Sequence, residues 1–147
     1  MRSGFVVFIV LLSVMSGAQS EAQVDFSISL ERVGCLGSCP DYKITISGGG
    51  TVRYDGRAYV TVEGIRETKI PPSAVKSLIQ KLRDQDFFHW PEKKEVCVDF
   101  PEVDITATLN RQSNHVLEGC NSPGKVLQLA KEIDRISGAE RWIGKHH

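Results

Sequence analysis

Apolar and polar residues alternate along much of this chain, and a repeat of two residues is typical of a β-strand with one buried face. The pattern begins with Phe26, Ile28 and Leu30, which are separated by polar residues. It returns in later stretches at residues 43–47, 51–55, 59–63 continuing past Gly64 to 70, 105–109 and 115–118. We therefore predict strands there, with a hairpin where the three glycines at 48–50 separate two of the stretches.

Two segments change to helical spacing. In the first, apolar residues recur at intervals of three and four, which predicts a helix from about residue 73 to residue 85. In the second, Ser122 is a typical cap, Pro123 suits the first helical position and Gly138 suits the end. Each helix carries one apolar stripe.

The order strands, helix, strands, helix predicts an α+β fold. Alternating strands favour an antiparallel sheet with one covered face, and two amphipathic helices can cover it. We expect a single two-layer domain over residues 23–147, with an antiparallel sheet of about five or six strands and two amphipathic helices on one face. Three tyrosines are expected to share a sheet face as core or rim residues: Tyr42, Tyr54 and Tyr59.

The N-terminus predicts export. Arg2 supplies a positive charge, and the apolar run at residues 5–15 is about half as long as a bilayer-spanning helix. Small residues then allow cleavage of a signal peptide, residues 1–22, after Ala18, Ser20 or Ala22. We expect a periplasmic or secreted protein with no stable membrane anchor after cleavage.

The charge balance excludes one class of partner. The chain has 18 Lys and Arg against 18 Asp and Glu, so it lacks the positive excess that drives binding to nucleic acid. Hydrophobic residues at 41% and charged residues at 24% are typical of a globular domain rather than a disordered one.

Four cysteines are disulfide candidates in an oxidising compartment: Cys35, Cys39, Cys97 and Cys120. Three pairings are possible, and the one with the shortest loops joins Cys35 to Cys39 and Cys97 to Cys120. The close pair also suggests a thiol–disulfide redox protein using Cys35 and Cys39. Against this hypothesis, no predicted helix begins there to lower a thiol pKa.

The chain lacks the sequence motifs of familiar hydrolases and nucleotide-binding enzymes. Cysteines together with His89 and His115 offer zinc ligand types, but oxidation competes for the thiols. Asp99, Glu102 and Asp104 lack calcium-loop spacing and are interpreted as a turn and a strand entry. We predict no catalytic residue, no metal site and no cofactor.

The stretch CLGSCPDYKITISGGGTVRYDG combines a C-x-G-x-C-P-x-Y motif, an apolar strand, a glycine turn and V-x-Y-x-G. It resembles the opening of the bacterial domain-of-unknown-function 6438 family. The matching positions beside the cysteines are Gly37, Pro40, Tyr42, Tyr54 and Gly56, with looser matches at Asp99, Pro101 and Trp142. The resemblance implies a single exported domain of this strand and helix order, and it implies no activity, cofactor or catalytic residue.

These observations favour a non-enzymatic binding or interaction module stiffened by disulfides, with a sheet face or edge as its contact surface. Its partner would be an unknown protein or small ligand in the cell envelope. The alternatives are the redox protein described above and a secreted enzyme inhibitor.

Overall fold

The computed structural model of the protein describes residues 24–91, 94–95, 101–119 and 124–144. Several predictions lie outside the described residues: the signal peptide, the Cys97 and Cys120 pair, Asp99 and the cap of the second helix. Among the described residues, no helix is long and apolar enough to cross a membrane.

The described chain contains seven strands and three α-helices. The strands are β1 Phe26–Val33, β2 Asp41–Ser47, β3 Thr51–Ala58, β4 Gly64–Lys69, β5 Lys94–Glu95, β6 Glu102–Leu109 and β7 Gln112–Glu118. The helices are α1 Pro72–Asp84, α2 Gly124–Ser137 and α3 Glu140–Ile143, with a single 3-10 turn at Phe87–His89 after α1.

The strands form one sheet in the order β4-β3-β2-β1-β6-β7-β5. Six strands pair antiparallel, and β5 adds a two-residue parallel pairing to β7. The predicted α+β fold with an antiparallel sheet is therefore confirmed. The short elements β5 and α3 were not predicted, because two and four residues are too few to show a period.

Alternation places every second side chain of the central strands in the core. On β1, β2 and β6 the buried positions include Ile28, Ile44 and Ile105, while the intervening residues are polar. The apolar stripes of α1 and α2 join the same cluster, with Leu78 and Leu129 fully buried. The opposite face of the sheet is mostly polar, with Val33 and Ile65 as exposed apolar exceptions.

The two hairpin turns contain residues with a positive φ. Gly50 closes the β2–β3 hairpin with a φ of 78°, in the left-handed region that glycine adopts without strain. Asn110 and Arg111 join β6 to β7 with φ of 48° and 69°. Positive φ at both central residues is the pattern of a type I′ hairpin turn, whose twist matches that of the strands.

The prediction of strand structure at residues 59–63 is wrong. The segment is a bend between β3 and β4, and its amides bond to the C-terminal helix instead of to a strand. Thr61 N–H donates to the Ile143 carbonyl at 3.1 Å, and Val62 N–H donates to the Trp142 carbonyl at 2.9 Å. The continuation beyond Gly64 is confirmed as β4.

Candidate functional site at the disulfide end of the sheet

One end of the sheet collects most of the distinctive residues. Pairing aligns Arg32 with Tyr42, Tyr42 with Gly56, and Gly56 with Gly64, which defines a row across β1 to β4. Beyond this row lie the loop at residues 34–40 and the connection at residues 59–63. We call this region the disulfide end.

The loop at residues 34–40 joins two neighbouring antiparallel strands. A disulfide links Cys35 to Cys39, with 5.5 Å between their Cα atoms. Both cysteines are partly exposed, and the three residues between them are exposed. Leu36, at 83% exposure, is the most exposed large apolar residue in the described chain. The loop therefore presents an apolar side chain to solvent inside a covalent ring.

Beneath the loop, on the core side of the sheet, three polar side chains form a closed network. Arg32 donates from Nε to the Tyr42 hydroxyl at 2.7 Å and from Nη2 to Asp134 Oδ2 at 3.0 Å. The Tyr42 hydroxyl donates to Asp134 Oδ1 at 2.8 Å. Each side chain thus bonds both others, which satisfies the polar atoms that burial would otherwise leave unpaired.

The electrostatics of this network follow from burial. Burial raises the pKa of the Tyr42 hydroxyl far above its ordinary value, and the neighbouring Asp134 charge adds to the effect, so the hydroxyl stays protonated. Burial also raises the pKa of Asp134, with the Arg32 guanidinium acting in the opposite direction. Burial disfavours the charged form of Arg32, but Tyr42 and Asp134 outweigh it and raise the Arg32 pKa.

The outer face of the same strands carries an ionic cluster. Arg57 on β3 pairs with Glu31 on β1 and Asp41 on β2, both at 2.5 Å. Lys43 Nζ lies 3.1 Å from the second Glu31 oxygen. Burial opposes ionisation of Glu31, yet the hydrogen bonds from Arg57 and Lys43 outweigh it and lower the Glu31 pKa. The base of the loop is therefore braced on both faces of the sheet.

Aromatic side chains pack against one another along the row, on the core side of the sheet. The Tyr42 and Tyr54 ring centroids lie 6.0 Å apart, and the Tyr54 and Trp142 centroids lie 5.2 Å apart. The Tyr54 hydroxyl donates to the Val62 carbonyl at 3.1 Å, and burial, with the Asp55 charge, raises its pKa to about 12. Tyr42 and Tyr54 share the buried face as predicted. Tyr59 does not, because it follows the end of β3 with a φ of 53° and is 57% exposed.

Glycine is required at position 56 by close approach. A Cβ there would collide with the Val62 carbonyl oxygen and lie 2.6 Å from the Tyr54 hydroxyl. The V-x-Y-x-G pattern thus has a local physical cause, because the tyrosine ring and the returning chain occupy the space above the glycine.

Exposed apolar side chains concentrate at this end. Of the six large apolar residues exposed in the described chain, Val33, Leu36 and Tyr59 belong to the disulfide end, and Ile65 lies one residue from its row on the side of the sheet. Clustered apolar exposure is a feature of contact surfaces, whereas isolated exposed residues need no explanation.

The residues of the family-like motif converge here. Gly37 and Pro40 lie in the loop, Tyr42 and Gly56 lie in the row, and Trp142 packs on Tyr54. Pro101 precedes the first residue of β6, which pairs with Val33 at the end of β1. Asp99 lies outside the described residues.

The ion pair between Arg32 and Asp134 was missed from the sequence. The two residues are 102 positions apart, and no local pattern joins them. One signal was available, because alternation from Phe26 places Arg32 on the core side of β1, where a charge needs a partner. The helical spacing of α2 predicts that Ile133 is buried, but it does not identify the neighbouring Asp134 as the partner of Arg32.

The described side chains do not assemble a recognisable catalytic or metal site. In the parts of the chain that the structure describes, no three His, Cys, Asp or Glu side chains converge as metal ligands. His115 pairs with Asp104 on the outer face, with His115 Nε2 3.0 Å from Asp104 Oδ1. Glu102, the first residue of β6, pairs with Val33 beside the disulfide end, and His89 lies in the 3-10 turn after α1.

Fold and site together define a small α+β domain that holds a disulfide-closed loop at one end of an antiparallel sheet. The family model for a domain of unknown function, DUF6438, matches residues 26–137. The chain belongs to this family. No curated protein matches it.

Proposed function

We propose that this protein is an exported binding module whose contact surface is the disulfide end of the sheet. The observation that carries the proposal is Leu36, an apolar side chain held in solvent at the apex of a disulfide-closed loop. A flexible loop would lose conformational entropy on binding, whereas a loop closed by a disulfide and braced at its base loses little.

The residues around Leu36 have the composition of an ordinary contact surface. Val33, Tyr59 and Ile65 supply further apolar area, and the cluster of Arg57 and Glu31 supplies a charged rim. Interfaces commonly combine an apolar centre with a polar rim. The partner is a protein or small ligand of the cell envelope.

Export is supported by the N-terminal sequence. The apolar run and the small residues at 16–22 suit a cleaved signal, and a disulfide persists in an oxidising compartment. The intact mass of protein recovered from outside the cytoplasm should correspond to cleavage after Ala18, Ser20 or Ala22. Recovery of uncleaved protein from the cytoplasm alone would contradict export.

The contact surface is tested by matched substitutions. The wild-type protein and the Leu36→Ser and Leu127→Ser variants are each cross-linked in envelope extract and purified. Leu127 is the matched control, because it is an exposed leucine on α2. We expect one partner to be recovered with wild type and Leu127→Ser, and to be lost with Leu36→Ser. Equal recovery with both variants would refute the proposed surface.

A second candidate is thiol–disulfide exchange, favoured by the partial exposure of Cys35 and Cys39. It predicts that the bridge opens at potentials typical of oxidoreductases, and that Cys39→Ser traps mixed disulfides through Cys35. Alkylation across a graded reductant series measures this directly. A bridge that resists reduction would leave the binding proposal standing and remove the redox one.

An inhibitor is a particular form of the binding module, with the loop seated in the active site of an enzyme. It predicts that the recovered partner loses activity on adding wild-type protein and keeps it on adding Leu36→Ser. Unchanged partner activity would restrict the function to binding.

A further inference from the structure

A groove of about 650 Å³ opens at the end of the sheet opposite the disulfide. It lies between α1 and the turns that join β2 to β3 and β6 to β7. Its floor is apolar, with Val75, Ile79 and Leu109 nearly buried at the bottom, and Val24 forms a partly exposed wall.

The groove follows one line of α1. Pro72, Lys76, Ile79 and Arg83 recur at helical intervals along it, which corresponds to a length of about 16 Å at 1.5 Å per residue. The site is therefore elongated rather than spherical, and it suits a linear apolar ligand.

The charges of the groove have one sign. Lys76 and Arg83 line it, and none of the described lining residues is acidic. Neither cation has an ion-pair partner among the described residues, whereas Lys81 on the same helix pairs with Glu132 at 3.1 Å. A ligand anion would therefore meet cations that no described carboxylate neutralises.

The far wall is held by backbone hydrogen bonds. Gly48 N–H donates to the Phe26 carbonyl at 2.7 Å, and Asn110 N–H donates to the Asp25 carbonyl at 2.9 Å. These bonds fix the chain just after Val24 between the two turns. The fold itself therefore fixes this wall, which fits the largely pre-formed character of small-molecule sites.

From this combination we infer that the groove binds a single-chain anionic amphiphile, an alkyl carboxylate. Its tail lies along Ile79 and Leu109, and its carboxylate meets Lys76 or Arg83. The groove is separate from the disulfide end, so refuting one of the two proposals would leave the other unaffected.

Calorimetric titration of the exported protein with dodecanoate, below the concentration at which it forms micelles, tests the inference. Hexanoate keeps the carboxylate but shortens the tail, and dodecyltrimethylammonium keeps the tail but reverses the charge. We expect saturable binding of dodecanoate, at least about tenfold tighter than either comparator, because tail burial and the cations both contribute. No saturable binding of dodecanoate, or equal binding of the cationic amphiphile, would overturn the inference.

Two double variants test the location. Lys76→Glu with Arg83→Glu reverses the groove charges, and Arg53→Glu with Lys131→Glu makes the same change in net charge elsewhere on the exposed surface. We expect the first pair to weaken dodecanoate binding at least about tenfold and the second pair to leave it unchanged. Val24→Asp, which makes the wall polar, should weaken binding as well. Equal losses in both double variants would overturn the assignment to this groove.

Discussion

Arg32 shows how one residue determines the chemistry of its surroundings. Its position in β1 points the guanidinium into the core side of the sheet, where Tyr42 and Asp134 complete its hydrogen bonds. Breaking a buried ion pair by removing one partner costs far more than replacing both by apolar residues. We therefore expect the network to specify how α2 sits on the sheet more than it adds net stability.

We predict that Arg32→Met lowers the free energy of unfolding by about 3 kcal/mol at neutral pH, because Asp134 is left buried without a counter-charge. Burial already raises the Asp134 pKa, and loss of Arg32 raises it further. A raised carboxyl pKa costs stability as pH rises through it, so the deficit should shrink towards pH 4 as the carboxyl becomes neutral. Urea unfolding between pH 4 and 7 measures this.

Adding Asp134→Leu to Arg32→Met should restore at least about half of the lost stability, since no buried charge then remains. A double variant less stable than the single one would show that the network contributes net stability, contrary to this account.

Position 56 gives a second residue-scale prediction. Gly56→Ala should destabilise the protein by about 2 kcal/mol or more, because its Cβ has no room beside Val62 and Tyr54. Gly124→Ala is the control, since Gly124 begins α2 with open space around its Cβ position and should tolerate alanine. Thermal melting of both variants measures the difference in stability. Similar melting temperatures would contradict the crowding argument.

Between elements, Glu132 joins the two long helices. It pairs with Lys81 on α1 at 3.1 Å and with Arg135 on its own helix at 2.7 Å. The Arg135 hydrogen bond, followed by that of Lys81, lowers the Glu132 pKa from 4.5 to about 2, with burial opposing them. The ionised form is thus the one that stabilises the folded state.

We expect Glu132→Gln to cost about 0.5–1 kcal/mol at pH 7, the range of partly exposed ion pairs. Because the folded pKa lies below the unfolded one, this contribution is present above about pH 4.5 and is lost as pH falls towards 2. Urea midpoints of wild type and variant should therefore converge in acid. Glu67→Gln, an exposed change on β4, is the control. A deficit as large at pH 2.5 as at pH 7 would contradict the assignment.

Elements whose apolar residues recur with a clear period could be predicted from the sequence, and elements without such a period could not. The strand at Phe26, the hairpin around Gly50 and the stripes of α1 and α2 are confirmed because each buries one regular face. The stretch at residues 59–63 also alternates, yet its backbone bonds to the end of α3. Its partner is a four-residue helix, which carries no periodic signal of its own.

The candidate site was predictable only in part. The cysteine pair and its glycine lie close together in sequence, so they mark the loop directly. The residues that brace the base of the loop are not marked in this way. Arg57 on β3 contacts Glu31 on β1, with β2 between them, and Arg32 contacts Asp134, which lies 102 residues later in the sequence. Long-range contacts of this kind follow from topology, which alternation alone does not determine.

For the whole molecule, we expect the disulfide to add stability without being needed for the fold. The core joins one face of the sheet to α1 and α2, and no residue of the loop at 34–40 belongs to it. We predict that Cys35→Ser with Cys39→Ser keeps the native circular dichroism spectrum and loses about 2 kcal/mol, the chain-entropy contribution of so small a ring. Failure of the variant to fold would contradict this.

The proposed binding function depends on contact between Leu36 and the partner. A photoreactive amino acid is introduced at position 36 in place of Leu36, and in a second protein at position 127 in place of Leu127, and intact cells that export each protein are illuminated. We predict a single cross-linked adduct from position 36 and none from position 127. No adduct from position 36, or the same adduct from both positions, would contradict it.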